Sequence, residues 1–211
     1  MNKPSIQKAK LYVIVDRAAL QGRDPVEVAA AAVRGGADVI QWRDKEAADR
    51  DFLETAARLR AQVGRQGALF IVNDRVPAAI LVKADGVHVG HEDLPVPAVR
   101  ALVGKSMLIG RSTHSLEEAL EAERQGADYI GVGPVFATPT KPGCPPVGLE
   151  LVRQVSGKVR IPWVAIGGID LENAGLVSSA GAARVAVVRA VAAAPDPEAA
   201  ARAFKGKLLS L

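Results

Sequence analysis

A (β/α)8 barrel is the fold the sequence predicts, and three observations predict it. Eight short runs rich in β-branched residues alternate with helical stretches at near-even spacing. Four joints repeat one pattern, GGADVI (35–40), KADGVHV (83–89), QGADYIGV (125–132) and AGAARVAV (180–187), as expected when one unit recurs around an axis. Polar residues gather directly behind the strand-like runs, the end of such barrels that carries function. A doubly wound open sheet is the structural alternative, but it leaves the even spacing unexplained.

Taken in order, LYVIVD (11–16) is the first strand and a helix follows at about 25–34. DVIQW (38–42) leads to 46–65, ALFIVND (68–74) to 75–83, and GVHVG (86–90) to 95–102. MLIGRS (107–112) precedes 115–125, DYIGVG (128–133) precedes 148–157, and IPWVAIGG (161–168) precedes 171–179. RVAVVRA (184–190) is the last strand, before a helix at 196–208. The strands are almost continuously apolar because a parallel sheet is covered on both faces. A glycine or lysine closes the helix at the repeated joints. Prolines between 134 and 146 interrupt any helix, so a long mobile loop is expected there.

The 211 residues suffice for one domain, 1–211, with a core that needs no disulfide or structural metal. Hydrophobic residues make up 49% of the chain and aromatics only 4%, so Ala, Val, Leu and Ile build that core. The charge of +4 is spread along the chain without a dense basic run, which argues against nucleic acid and membrane partners. No apolar run reaches the roughly 18 residues of a membrane span, and MNKPSIQKAK lacks the apolar region of a secretory leader. A cytoplasmic protein is expected. The single cysteine, Cys144, lies between Gly143 and Pro145 and reads as a loop residue rather than a nucleophile. The oligomeric state stays open, a homodimer included.

Behind the second strand come Gln41, Arg43 and Lys45, which alternate and can all face the barrel mouth. With Lys141 they offer three positive charges to one anion, a set suited to phosphate or pyrophosphate: Arg supplies a planar fork and Lys a point charge. The bland alternative pairs Arg43 and Lys45 with Asp44 and Glu46 on a solvated rim. Asn73 and Asp74 follow the third strand, and Asp93 follows the fourth. Two carboxylates brought together repel unless a cation lies between them. Mg²⁺ suits the position, since phosphate oxygens and water complete its octahedron; alternatively each Asp caps the helix after it. His88 reads as a packed, hydrogen-bonded strand residue, and no His and carboxylate spacing suits zinc. Ser112 follows the fifth strand, and Thr138, Thr140 and Lys141 follow the sixth. Gly167 and Gly168 after the seventh, with VAVVRA at the eighth, form a second anion candidate, because barrels often seat a phosphate there on backbone N–H groups.

These motifs together resemble the thiamine phosphate synthase family over nearly the whole chain. QWRDK is similar to the family's Q-x-R-x-K, IVNDR to its N-D, and ADGVHVGHED to its A-D-G-x-H-x-G-Q-E-D. IGRSTHSLEE, GADYIGVGPVFATPTK, PWVAIGGI and AVVRA continue the series in order. The resemblance implies a barrel enzyme that joins 4-amino-5-hydroxymethyl-2-methylpyrimidine pyrophosphate to 4-methyl-5-(2-hydroxyethyl)thiazole phosphate, giving thiamine phosphate and pyrophosphate. It implies that Arg43, Lys45, Asn73 and Lys141 hold the pyrophosphate and that Asp74 and Asp93 hold Mg²⁺. Gln41 would bind the aminopyrimidine, and Ser112 would lie beside the reacting methylene and its leaving group. Thr138, Thr140, Gly168 and the backbone at Val188 and Arg189 would surround the thiazole phosphate. The reaction implied is dissociative, so charge stabilisation carries catalysis and no strong protein base is required.

The chain departs from the family's pattern at Trp42, His91, Ala137, Ala183, Arg184 and Arg189. The last three are expected to surround the thiazole phosphate site. Strand alternation places Val188 toward the barrel core and Arg189 toward the helix layer; the rival is that alternation ends at Val188 and the guanidinium turns into the mouth. Two alternatives compete with the synthase: a thiazole tautomerase of the same superfamily, which has no use for a pyrophosphate half-site, and a non-catalytic barrel that binds phosphorylated metabolites.

Overall fold

The computed structural model describes residues 4–140 and 143–210. Eight parallel strands close in sequence order into a barrel, with β1 paired to both β2 and β8. They are β1 (Leu11–Asp16), β2 (Val39–Arg43), β3 (Leu69–Asn73), β4 (Gly86–Val89), β5 (Leu108–Thr113), β6 (Tyr129–Val132), β7 (Trp163–Ile166) and β8 (Val185–Val187). The helices are α1 (Pro25–Arg34), α2 (Asp49–Arg65), α3 (Val76–Leu81), α4 (Val96–Val103), α5 (Leu116–Arg124), α6 (Gly148–Lys158), α7 (Ala174–Ser179), α8 (Arg189–Ala192) and α9 (Pro197–Leu209). The open-sheet alternative is thereby excluded.

Alternation along each strand divides the apolar residues into two cores. Outward residues such as Val13, Val15, Ile40, Trp42, Phe70, Ile109 and Val185 pack against the helices. Inward residues, among them Tyr12, Ile14, Val39, Ile71, Leu108, Tyr129 and Val164, fill the barrel, and Ile6 and Ala9 join them from the N-terminal segment. Trp42 stacks on Phe52 at 5.8 Å between ring centroids, and its buried indole N–H has no partner among the described residues.

The repeated joints have a physical cause. Asp38 accepts from the Lys10 and Leu11 N–H groups, Asp85 from that of Phe70, and Asp128 from that of Ile109. Each carboxylate therefore fixes the start of one strand to the strand before it. Gly36, Lys83, Gly126 and Gly181 precede these positions with φ between 52° and 109°, the left-handed turn that ends a helix. At the fourth joint Arg184 instead reaches the carbonyls of Ile6 and Gln7. Ala183 and Arg184 thus lie at the strand-start end of β8, away from the mouth, and they do not surround an anion site there. Burial lowers the Arg184 pKa from its ordinary value.

Three elements differ from the expectation for local reasons. Strand β8 stops at Val187, and Val188, at φ −110° and ψ −87°, turns the chain into the short helix α8. Helix α2 starts at Asp49 because the Asp44 carboxylate accepts from Glu46 and Ala47 N–H, forming a turn first. Likewise Asp170 accepts from Glu172 and Asn173 N–H and delays α7 to Ala174. Residues 134–140 and 143–147 form neither helix nor strand. This loop is tied at both ends, by Val135 N–H to the Ile166 carbonyl, Phe136 N–H to that of Gly167, and Val147 N–H to that of Pro134.

Candidate active site

One cavity of about 460 Å³ opens at the C-terminal ends of the strands. Gln41, Arg43, Lys45, Asn73, Asp74, Asp93, Ser112, Thr138, Thr140, Gly168, Val188 and Arg189 all line it. Lys141 lies outside the described residues. Cys144 does not line the cavity.

The second strand aims its charges as its register dictates. Asp16 and Arg43 are register partners across β1 and β2, and the Arg43 guanidinium forms an ion pair with the buried Asp16 carboxylate. Lys45 forms its ion pair with Asp74. The rim pairing with Asp44 and Glu46 is therefore absent. Asp44 is committed to its own turn, and Arg75 locks that turn by donating to the Asp44 and Ala47 carbonyls and stacking 4.5 Å over Phe52. Asp16 and Arg75 were not singled out by sequence. The signal for Asp16 was its place at the end of β1, where the other strands carry their functional residues.

Asp74 does not cap α3, whose preceding residue Arg75 makes no side-chain cap. It adopts φ 57°, a conformation uncommon outside glycine, and turns its carboxylate toward Lys45 and Asp93. Burial, together with Asp93, raises the Asp74 pKa despite the opposing Lys45. Burial also pushes Asp93 upward, but hydrogen bonds from Asp74 and Gly90 N–H, with Lys45 and Arg111 nearby, outweigh it and lower its pKa. Arg111 holds the loop carrying Asp93 through the carbonyls of His91 and Leu94. Two carboxylates at hydrogen-bonding range, with an ammonium already drawn to one of them, suit a divalent cation. Among the described residues no group of three or more His, Cys, Asp or Glu forms a metal cluster. A cation here would thus take its remaining ligands from substrate and water, as Mg²⁺ does.

At the opposite side, Gly167 and Gly168 have φ of 100° and 62°. A Cβ on Gly167 would meet Pro134 Cα at 2.4 Å, and one on Gly168 would meet the Ala137 carbonyl oxygen at 2.6 Å. Their small size thus serves close packing of the β6 and β7 loops as well as access to the cavity. Thr140 N–H lies 3.3 Å from Thr138 Oγ1, in a turn that shapes the neighbouring wall. Arg189 corrects the expectation from strand alternation. It opens α8 and is exposed at the mouth, instead of lying under the helix layer. Val188 packs against the inner core as expected.

Along the cavity wall runs a chain of polar groups that spacing alone did not reveal. Gln41 Nε2 donates to Tyr12 Oη at 2.7 Å, and Tyr12 Oη lies 3.0 Å from Tyr129 Oη. Tyr129 Oη is 3.1 Å from His88 Nδ1, and His88 Nε2 is 3.0 Å from Ser112 Oγ. Gly110 makes room for it, since a Cβ there would meet Tyr129 Cζ at 2.2 Å and His88 Nδ1 at 2.4 Å. Burial raises the pKa of both phenols well above the ordinary value, so both keep their protons.

A closed barrel whose mouth joins an Arg and Lys cluster, a carboxylate pair and a glycine-lined wall defines a (β/α)8 enzyme built for phosphorylated substrates. The family model described as thiamine monophosphate synthase matches residues 11–191. The thiamine-phosphate synthase of Chloroflexus aurantiacus is 51% identical over 93% of this chain and 91% of its own. That of Syntrophomonas wolfei is 45% identical over 92% and 94%. The solved structure of thiamine phosphate pyrophosphorylase from Pyrococcus furiosus superposes with a TM-score of 0.89, at 42% identity over 96% of both chains. The chain belongs to the thiamine monophosphate synthase family, and it is a transferase of thiamine biosynthesis.

Proposed function

We propose that this cavity joins 4-amino-5-hydroxymethyl-2-methylpyrimidine pyrophosphate to 4-methyl-5-(2-hydroxyethyl)thiazole phosphate. The observation that carries the reading is the single cavity with two unlike ends. Arg43, Lys45, Asn73, Asp74 and Asp93 line it from the ends of β2, β3 and β4, and Gly168, Val188 and Arg189 line it from the ends of β7 and β8, on the other side of the closed barrel. Two phosphorylated reactants can therefore meet in one enclosure, which converts a bimolecular encounter into a positioned one.

The bond between the pyrimidine methylene and the pyrophosphate oxygen breaks first, and its electron pair leaves with the pyrophosphate. The electron-rich aminopyrimidine spreads the resulting positive charge, and the thiazole nitrogen then forms the new C–N bond with its lone pair. Arg43 and Lys45 stabilise the charge gathering on the leaving group, in a site where preorganised cations need little reorganisation. Asn73 adds a donor, and Lys141 belongs to the same set by the family resemblance. When bound at Asp74 and Asp93, Mg²⁺ supplies further neutralisation of the pyrophosphate. Gln41, whose side chain is buried, orients the aminopyrimidine. At the far end, the Val191 and Ala192 N–H groups donate to the Val188 carbonyl, which leaves the Arg189 and Ala190 N–H groups at the start of α8 to receive the thiazole phosphate.

Incubating the protein with both substrates and Mg²⁺, and following thiamine phosphate and pyrophosphate by chromatography, tests this reading. Equal amounts of the two products are expected. Binding of both substrates without product would leave a metabolite-binding barrel instead. For the dissociative step, oxygen label in the bridging position of the pyrimidine pyrophosphate should scramble when an unreactive thiazole analogue fills the second site. Retention of label during turnover-competent binding would favour direct displacement.

A further inference from the structure

The polar chain along the cavity wall has two ends, Gln41 and Ser112, and both line the cavity. Its three middle members, Tyr12, Tyr129 and His88, are buried and belong to three different strands; Tyr12 and His88 each show an edge to the cavity, and Tyr129 lies wholly behind it. Gln41 Nε2 can only donate, so the Tyr12 oxygen accepts from it and the Tyr12 proton must point elsewhere. The Tyr129 oxygen, 3.0 Å away, takes that proton. Tyr129 in turn donates to His88 Nδ1 at 3.1 Å, which must then be unprotonated. A neutral imidazole with a bare Nδ1 carries its proton on Nε2, and this N–H donates to Ser112 Oγ at 3.0 Å. The Ser112 hydroxyl, having accepted, turns its own proton to the cavity.

We infer that Tyr12, Tyr129 and His88 are positioning residues that carry one hydrogen-bond direction across the barrel, so that Gln41 presents an acceptor and Ser112 a donor to the bound reactants. The two ends then complement an aminopyrimidine and a departing pyrophosphate. Gln41 Oε1 accepts from the exocyclic amine, and Ser112 Oγ–H donates to the oxygen that leaves. This assignment rests on the proposed reaction. The opposite direction would place the Gln41 amide N–H groups against an amine and leave Ser112 with only lone pairs for an anion. A reversed segment in the middle would be worse, because two donors would converge on one buried phenol oxygen while another proton found no acceptor. Close packing holds the route: a Cβ on Gly110 would collide with His88 and Tyr129, and one on Gly131 would come into van der Waals contact with the imidazole.

The direction can be read without substrate, so its failure is separable from failure of the proposed reaction. Nitrogen-15 NMR of the ligand-free protein should show His88 as the neutral Nε2–H tautomer near neutral pH; the Nδ1–H tautomer or an imidazolium would overturn the inference. Tyr129→Phe and Tyr12→Phe each keep the ring and remove one link. In either variant that folds, kcat should fall about tenfold with the thiazole phosphate KM within about twofold of wild type. In Tyr129→Phe the His88 tautomer preference should also weaken. Wild-type kcat in both variants would reduce the chain to a packing device and refute the positioning role, whatever their stability. If the wild-type protein bound both substrates but formed no thiamine phosphate, the proposed reaction would fail while the NMR result still decided the direction of the chain.

Discussion

Asp16 and Arg43 are neighbours in register at the ends of β1 and β2, and the buried carboxylate of one holds the guanidinium of the other at the cavity wall. The pair explains why a charged residue continues an apolar strand. The strand fixes where Arg43 stands, and Asp16 fixes which way its planar fork faces.

Asp16→Asn should therefore damage turnover although Asp16 is not itself proposed to touch substrate. A tenfold fall in kcat/KM is expected, about 1.4 kcal/mol of transition-state stabilisation. Arg43→Lys keeps the charge, loses the fork and should fall by at least about as much. Because both changes remove one oriented guanidinium, the double variant should lose little more than the worse single variant. Fully additive losses in steady-state kinetics would show that the two residues act separately.

The carboxylate pair gives a metal prediction. Asp74→Ala and Asp93→Ala should each lose most of the Mg²⁺-dependent turnover, and excess chelator should abolish activity in the unaltered protein. Calorimetric titration of Mg²⁺ in the presence of pyrophosphate should show weaker binding in both variants. Full activity in chelator would return the pair to a purely electrostatic role beside Lys45.

Much of this architecture could be read from sequence because barrel strands are covered on both faces and announce themselves as apolar runs. Residues at strand ends were legible too, since a barrel places its loops at one mouth, and every described residue assigned a contact with substrate or metal lines one cavity. What spacing hid was contact across the barrel. Tyr12 and Tyr129 are separated by 117 positions, and either could have been an ordinary strand aromatic. Arg189 failed for a local reason: VAVVRA reads as one strand, yet the backbone turns at Val188 and ends the alternation. Ala183 and Arg184 were misplaced because proximity in sequence to β8 says nothing of which end of the strand they occupy.

Two glycines make opposite stability predictions. Gly110→Ala places a methyl group against Tyr129 and His88, so it should destabilise the barrel by about 1–3 kcal/mol or more. Gly206 lies within α9, where an added Cβ would meet nothing within 4 Å, and Gly206→Ala should stabilise by about 0.5–1 kcal/mol. Urea midpoints with unchanged slopes would report both effects. An unaltered midpoint in Gly110→Ala would mean that the interior yields more readily than its contacts indicate.

Asp24 supplies a pH prediction outside the site. Its side chain caps α1 by accepting from Val26 N–H at 2.8 Å and also receives Arg58. Burial would raise its pKa, but these hydrogen bonds and the charge of Arg58 outweigh burial and lower it. A lowered folded-state pKa contributes stability above the unfolded carboxylate range, and that stability is lost as pH falls through the folded value. Asp24→Ala should cost about 1 kcal/mol at pH 7 through loss of the cap. The difference between variant and parent should shrink on acidification below the ordinary carboxylate range. A difference that grew with acidification would contradict the assigned sign.

Arg189 remains the departure with most bearing on the second reactant. It opens α8 at the mouth and is exposed, so under the proposed reaction its charge would act on the thiazole phosphate from solvent and not from a desolvated pocket. Exposed charges of this kind contribute modestly and are screened by salt over about 10 Å at 0.1 M. The backbone N–H groups of α8 provide the direct phosphate contact in this reading, and a serine at 189 would keep them. Arg189→Ser should consequently raise the thiazole phosphate KM by about three- to tenfold at low ionic strength, leaving the pyrimidine pyrophosphate KM unchanged. Added salt should shrink the difference, because it weakens the parent's advantage and has little to act on in the variant. A thiazole phosphate KM equal to that of the parent at low salt would show that the guanidinium stands clear of the site, whereas a large rise that salt leaves untouched would place it in direct, desolvated contact with the phosphate.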